Sequence, residues 1–252
     1  WILDYFFVFS RPYQITYKKF VKGKIFDIGS FKNNIYEKKK FNKKNKDLLF
    51  ISQYRAPKQY NYEYRGRKIL HTDFYQADKK MTIFLSDYCK RKEIKLIIAG
   101  VYDQSLKFSN DEKNFFSNLI DKRHEKLEWQ FIPNHMERRS YELVDDAKII
   151  VFIDSALGYQ CYARDKKTVA FPIRSQYVQN SQLKFGWPEK LDDDGPFWTN
   201  TYDEKKFEII LNYVNELTDE EWKQLILTYK KKIISYNKDN TKFHDLVSNL
   251  LD

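Results

Sequence analysis

The chain has 252 residues, of which 42% are hydrophobic and 17% aromatic, and it carries a formal charge of +10. That supply of apolar side chains excludes a disordered polymer, and the length fits one large domain or two small ones. The charge points to anionic partners, although compositional drift towards Lys, Asn, Ile, Tyr and Phe across the whole chain would produce it equally well.

The opening WILDYFFVFS (1–10) is too short for a membrane span and lacks the flanks of a secretory signal. The chain begins at Trp1, not at a methionine, and reads as the later part of a longer protein. Strands are predicted at 4–9, 24–29, 47–53 (DLLFISQ), 94–100 (IKLIIAG), 127–133, 148–153 (KIIVFI) and 168–172. Several are apolar at consecutive positions, as strands covered on both faces are. Between the first two of these and the rest lies EKKKFNKKNKD (37–47), which has no apolar period and reads as a solvated linker.

Helices are predicted between the later strands. In 73–91 a single stripe runs through Phe74, Ala77, Met81, Phe84, Leu85, Tyr88 and Cys89. Segment 110–122 opens on a capping box of Ser109 and Glu112, a short helix fits 140–147, and 203–252 is helical, with a second capping box of Thr218 and Glu221. Cys89 and Cys161 fall on apolar helix faces and read as buried thiols in a reducing compartment.

Repeated strand–helix–strand units predict an α/β fold with a doubly wound, Rossmann-like parallel sheet. The expected organisation is the end of a preceding domain and a crossover (1–36), a basic linker (37–46), the Rossmann-like domain (47–202) and C-terminal helices (203–252). In such sheets ligands bind outside the carboxyl ends of the strands. The loops there carry Ser52, Gln53, Tyr54 and Arg55; Gly100, Val101, Tyr102 and Asp103; Asn134 and His135; and Asp154 to Gln160.

The last loop, in DSALGYQCYARDKKTVAFP (154–172), has the clearest chemistry. A helix is predicted to start near Leu157 or Gly158, and its free amides and dipole would favour a phosphate. Gly158 would let the ligand reach the backbone, and Ser155 would cap the helix or donate to a phosphate oxygen. A plain Ser cap with a glycine for helix–sheet packing explains the same residues. Arg55 and Arg174, each after a strand end, are either phosphate partners or members of surface salt bridges. Asp103 is a turn residue or a crevice carboxylate. Trp187, Phe197 and Trp198 stack on a ligand or anchor their loop. No metal site is expected: the four histidines are scattered, and Asp192 to Asp194 read as an acidic turn beside Gly195 and Pro196.

IDSALGYQCYARDKKTVAF (153–171) resembles a segment of bacterial surface-carbohydrate biosynthesis transferases related to the GT-B glycosyltransferases, including the Kdo-transferring group. The resemblance extends to 4–34, to LLFISQYR (48–55) and to FGWP…GPFWTN…DEKKFEIILNYVNELTDEEW (185–222), covering nearly the whole chain in order. It implies a metal-independent glycosyltransferase with two Rossmann-type domains, of which this chain is the later, nucleotide-sugar-binding one. Donor contacts would then come from Ser52, Tyr54, Arg55, Gly100, Ser155, Leu157, Gly158, Tyr159, Gln160 and Arg174. The catalytic base stays unassigned.

The implied partners are a nucleotide-activated sugar and a glycan or glycolipid acceptor of lipopolysaccharide, O-antigen or capsule assembly. The implied place is the cytoplasm, with peripheral contact at the inner face of the inner membrane. No cofactor is expected, and the donor is of CMP or UDP type. Gln160 stands where the family has Glu, in a region where an acidic residue holds a ribose hydroxyl. Asp165 replaces the family's Gly, and His135 is not followed by the Pro of CMP-sugar enzymes. An inactive nucleotide-binding module partnering another transferase, or a nucleic-acid-binding protein, are the competing readings.

Overall fold

The computed structural model describes residues 1–39, 46–55, 62–134 and 136–251. His135 and most of the lysine-rich linker lie outside the described residues. The chain opens with a small βαβ unit: β1 (Ile2–Val8), α1 (Arg11–Tyr17) and β2 (Lys22–Asp27), the two strands pairing in parallel. A short α2 (Phe31–Ile35) follows, capped by Ser30.

The main sheet begins with β3 (Leu48–Ile51), all four residues of which are buried. The sequence reading had no counterpart for the next pair, β4 (Tyr62–Tyr64) and β5 (Arg67–Ile69), a hairpin turning through Arg65 and Gly66 at positive φ. Then come α3 (His71–Lys92), β6 (Leu96–Asp103), α4 (Lys107–Ile120), β7 (Trp129–Asn134), α5 (Met136–Asp146), β8 (Ile149–Phe152), α6 (Ala156–Ala163), β9 (Thr168–Ala170) and α7 (Arg174–Val178). The chain ends with the hairpin β10 (Asp194–Gly195) and β11 (Trp198–Thr199), then α8 (Glu204–Glu216), α9 (Asp219–Ile233) and α10 (Thr241–Leu251).

The seven strands lie in the order β10-β11-β9-β8-β3-β6-β7, and only the β10–β11 pair is antiparallel. The chain runs from β3 outward to β7, returns to place β8 beside β3, and continues the other way. That reversal is what a doubly wound sheet is, and right-handed crossovers then put helices on both faces. Phe84 of α3 packs on Phe207 of α8 at 5.2 Å, and Tyr162 of α6 stacks on Trp222 of α9 at 6.3 Å. The consecutive apolar runs follow from this: β3 and β8 are central and sealed on both sides.

Every residue of the predicted α3 stripe is buried. The Thr218–Glu221 capping box forms, with Glu221 N donating to Thr218 Oγ1 at 3.2 Å and Thr218 N to the Glu221 carboxylate at 2.7 Å. The expected Ser109–Glu112 box does not. α4 starts at Lys107, so both residues lie inside the helix, and Glu112 is drawn into the sheet instead.

The helical block predicted from 203 onward divides by its contacts. α8 and α9 cover the main sheet, but beyond Ile234 the chain crosses to the β1–β2 unit. Ser235 N donates to Phe9 O at 2.7 Å, Asn34 Nδ2 to Asn240 Oδ1 at 2.8 Å, and Phe243 meets Phe7 and Phe31 edge-on at 5.3 and 5.0 Å.

Gly158 shows how tightly α6 lies on β8. A Cβ there would stand 2.2 Å from Cγ of Phe152, a fully buried ring with no room to move. Gly158→Ala is expected to destabilise the fold by about 1–3 kcal/mol, the usual cost of overpacking, measured by urea denaturation.

Candidate functional site

The reversal of strand order falls between β3 and β8, so the predicted ligand crevice should open between Ser52–Arg55 and Asp154. It is filled. Arg174, 1% exposed, reaches in from the start of α7 and pairs with Asp78 of α3 at 2.6 Å and with Asp154 just beyond β8. Its second amino group also points at Gln53 O, 3.4 Å away. Burial pushes the Asp78 carboxyl up, opposed by the Arg174 charge, while the two carboxylates outweigh burial and raise the guanidinium further. Arg174 is therefore neither the free phosphate partner nor the surface salt bridge the sequence suggested. It is an internal strut.

The neighbouring crevice, between β3 and β6, is closed by Glu112. Its carboxylate accepts from Val101 N at 3.1 and 3.0 Å, from Tyr102 N at 3.3 Å and from the Ser52 hydroxyl. The predicted Ser52 donor is thus already engaged. Gly100 serves this packing too, since a Cβ would meet Phe131 at 2.7 Å and a Glu112 oxygen at 3.2 Å. Tyr54 is 6% exposed and tilted on Phe115 at 5.0 Å, within the core. Arg55 Nη2 donates to Gln53 Oε1 at 2.9 Å. Asp103 makes a turn, accepting from Ser105 N at 2.9 Å.

Among the described residues a cavity of about 320 Å³ lies on the β8–β9 side. Asp154, Ala156 and Tyr159 form one wall. Asn180, Gln182, Leu183 and Trp187, from the segment after α7, form a second. Phe9 and Tyr13 of the β1–α1 unit and Ile233 and Ile234 at the end of α9 close the third. Tyr13 and Trp187 meet edge to face at 5.5 Å across the opening, and Tyr159 stacks on Phe185 at 5.7 Å while its hydroxyl accepts from Gly186 N. Burial raises the Tyr13 hydroxyl to about 12, with Tyr17 adding to it, so this group stays protonated at neutral pH.

α6 begins here as predicted, one or two residues early. Ser155 is its N-cap, accepting from Leu157 N at 3.2 Å, and the first bond of the helical ladder runs from Tyr159 N to Ser155 O at 3.3 Å. The amides of Ala156 and Gly158 make no hydrogen bond among the described residues, as expected in a first turn. Ala156 is exposed in the cavity wall. Gly158 faces Phe152, so its lack of a side chain serves packing on the sheet. Gln160 turns away from the cavity and accepts from the Tyr141 hydroxyl at 2.5 Å, so it is not placed to hold a ribose there.

Of the predicted donor contacts, Tyr159 lines this cavity, and Ser155 and Leu157 flank its wall residue Ala156 in sequence. Ser52, Tyr54, Arg55, Gly100, Gly158, Gln160 and Arg174 do not line it. Phe197 and Trp198 are core anchors at 0% and 2% exposure, whereas Trp187 lines the cavity. Asp193 and Asp194 pair with Lys184 and Lys206, each at 2.7 Å, as an acidic turn would. Sequence reading missed Asp78. Its signal was a lone carboxylate at 78, one turn after Phe74, inside an otherwise apolar stripe. Among the described residues no three His, Cys, Asp or Glu side chains are placed to share a metal ion.

A doubly wound sheet whose ligand-sized cavity opens at the β8–α6 turn, with C-terminal helices that cross back to a second βαβ unit, is the Rossmann-like architecture found in GT-B folds. Over residues 1–251 the chain matches the model of the family described as "putative O-antigen biosynthesis protein", and it belongs to that family. This gives it a role in glycan biosynthesis. Among solved structures it is similar to the wall teichoic acid polymerase TagF, H444N variant (12% identity, TM-score 0.50, covering 98% of this chain and 57% of that one). It also matches UDP-GlcNAc 2-epimerase from Neisseria meningitidis bound to UDP-GlcNAc (10% identity, TM-score 0.47, 82% and 44%). The chain thus spans about half the length of the solved structures it matches. No curated protein matches it.

Two expectations concern the charged plugs. Removing the Arg174 side chain leaves two carboxylates facing each other indoors, so Arg174→Ala should cost about 3–5 kcal/mol in denaturant unfolding. Burial lifts Glu112 to about 7 from its usual 4.5, so the fold prefers it neutral. Its contribution to stability is complete below pH 4.5 and is lost as the pH rises through 7. Glu112→Gln, which cannot ionise, should gain about 3 kcal/mol on wild type between pH 4 and pH 8. Parallel urea curves across that range check it.

Proposed function

We propose that this chain is the donor-binding part of a glycosyltransferase that takes a sugar from a nucleotide-activated donor and passes it to a surface-glycan acceptor. The observation that carries the reading is the cavity at the β8–α6 turn, where the exposed first turn of a Ser-capped helix shares a wall with aromatic rings. A helix start concentrates partial positive charge and unpaired N–H groups, which suit a phosphate.

As the anomeric carbon–oxygen bond breaks, negative charge grows on the departing phosphate. Fixed N–H donors in a partly dry cleft stabilise that charge without having to reorganise. In this reading the phosphate meets the Ala156 amide at the rim. The rings of Tyr159, Trp187 and Tyr13 take the flat parts of the donor. A metal ion is not required by this arrangement. The β1–β2 unit, with Trp1, Ile2 and Phe20 between 63% and 86% exposed, is read as the edge of an adjoining α/β domain that would complete the cleft.

The test uses a proline. Ser155 has φ −72° and ψ 135°, a backbone that tolerates a following proline, and position 156 is the first of the helix, where proline is favoured. Ala156→Pro deletes one N–H donor and keeps the helix. In a thermal-shift panel of CMP, UDP, GDP and ADP, one nucleotide should stabilise the wild-type chain selectively. The variant should melt at the wild-type temperature without ligand and bind that nucleotide about tenfold more weakly. Equal binding by both proteins, or no selective nucleotide, removes the reading.

A further inference from the structure

A second cleft, of about 440 Å³, lies at the opposite end of β8 and α6 from the cavity described above. Lys148 stands one residue before β8 and Lys167 one residue before β9, so two neighbouring parallel strands are each entered through a lysine that lines it. The lining holds seven basic residues and two acidic ones. Lysines on exposed helix faces are ordinary in a chain of charge +10, but these are drawn into a concavity.

Several of the cations are already used. Arg164 and Lys166 share Asp145, at 2.5 and 3.7 Å, and Lys38 and Lys230 share Asp165, at 3.3 and 2.5 Å. Lys148 and Lys167 differ. Both are half-buried, and neither forms an ion pair with any described residue. Lys167 Nζ donates to Leu217 O, while Lys148 Nζ makes no hydrogen bond among the described residues. Residues 40–45, which follow Lys39 of the lining, are KFNKKN and bring no carboxylate. Burial pulls the Lys167 ammonium below its ordinary value; Asp219 opposes this and Lys148 adds to it. Burial lowers Lys38 and Lys166 as well, with Arg164 contributing to both.

A half-buried ammonium without a counter-ion is a cost to the fold, and an anion that bridges two of them removes it. The negative end of α6 would repel such an anion, but Lys38 Nζ covers the Ala163 carbonyl there at 2.7 Å. A carboxylate brings one charge on two oxygens. Neighbouring strands stand about 4.8 Å apart, so two ammonium groups rooted at their starts suit a ligand that spreads more charge over more oxygens. A diphosphate does so, and lysine serves phosphate as a point charge.

We propose that the cleft at the amino edge of the sheet is a binding site for a diphosphate group, bridged by Lys148 and Lys167. It is separate from the cavity at the β8–α6 turn and does not depend on the nucleotide reading of that cavity. The group comes either free in solution or on a lipid headgroup. The chemistry is the same, and the two sources are separable.

The experiment is calorimetric titration with inorganic pyrophosphate at fixed ionic strength, with sulfate as the reference anion. It compares wild type, Lys148→Gln/Lys167→Gln and a control, Lys113→Gln/Lys122→Gln, which removes the same charge from exposed positions on and just after α4. Wild type and control should bind pyrophosphate alike and more tightly than sulfate, and the first double variant about 10- to 100-fold more weakly. Ala156→Pro should retain this binding, because its missing amide lies at the other end of α6. On wild type alone, pyrophosphate should shield Lys148 and Lys167, but not Lys113, from acetic anhydride, read by mass spectrometry; this needs no variant to fold. Sedimentation with phosphatidylcholine vesicles, with and without diacylglycerol pyrophosphate, separates the sources. Retention that pyrophosphate competes away assigns the site to a headgroup, and pyrophosphate binding without retention assigns it to a free ligand.

The inference is overturned if pyrophosphate binds wild type no more tightly than sulfate, if Lys148→Gln/Lys167→Gln binds like the control, or if Ala156→Pro abolishes the binding. The last result would leave the nucleotide reading standing. Loss of selective nucleotide binding alone would leave this site standing.

Discussion

A single guanidinium fixes the geometry on which the rest of the site depends. Arg174 joins α3 and the turns that follow β3 and β8 by pairing with Asp78 and Asp154 and reaching Gln53 O. Taking three charges out of water is expensive, and a well-packed apolar cluster would serve stability as well or better. What the ionic arrangement adds is direction. A guanidinium has a rigid fork of donors, so the carboxylates it holds cannot rotate freely. Here that fork occupies the point where the strand order reverses, where a doubly wound sheet ordinarily leaves room for a ligand.

Glu112 acts in parallel one strand away. It binds the backbone N–H groups at the carboxyl end of β6 and the Ser52 hydroxyl, replacing what a ligand anion could otherwise do there. Its neutral form is favoured by burial and its charged form by three donors, and burial wins. With these two crevices occupied by the chain's own side chains, the cavity lined by Asp154 and Tyr159 lies on the β8–β9 side. The cavity is therefore narrow in origin: it is what remains after two internal plugs, bounded by α6 and by the loop that carries Trp187.

Local patterns made the architecture legible. β3 and β8 are continuous apolar runs because both faces are covered, and the α3 stripe has helical spacing because one face meets the sheet. The Ser155 cap and the Thr218–Glu221 box are signals confined to three or four residues, and both form. Pairing across long sequence separations was not legible. Asp78 and Arg174 are 96 positions apart, and nothing near either names the other. Ser109 and Glu112 had the right spacing for a cap, but the backbone amides of β6 offered Glu112 a buried, stronger alternative, so a tertiary contact overrode a local one. Tyr13 and Phe9 could not be placed in the cavity without knowing that the chain's end crosses back.

That crossing gives the cavity its last property. Ile233 and Ile234 line it, and the next residue, Ser235, is bonded to Phe9 O. Gly29, at φ +77°, passes so close that a Cβ would meet Ser235 O at 2.1 Å. The point where the chain leaves the main sheet for the β1–β2 unit is thus pressed between the two and exposed to the cavity. A ligand seated there touches α6 from one unit, Tyr13 from the other and the connection itself. Binding that rewards contact with all three stabilises one relative placement of the units over others by its difference in affinity for them. Coupling of that kind needs no further moving part. It follows from building one wall of the site out of the segment that joins the two packing units.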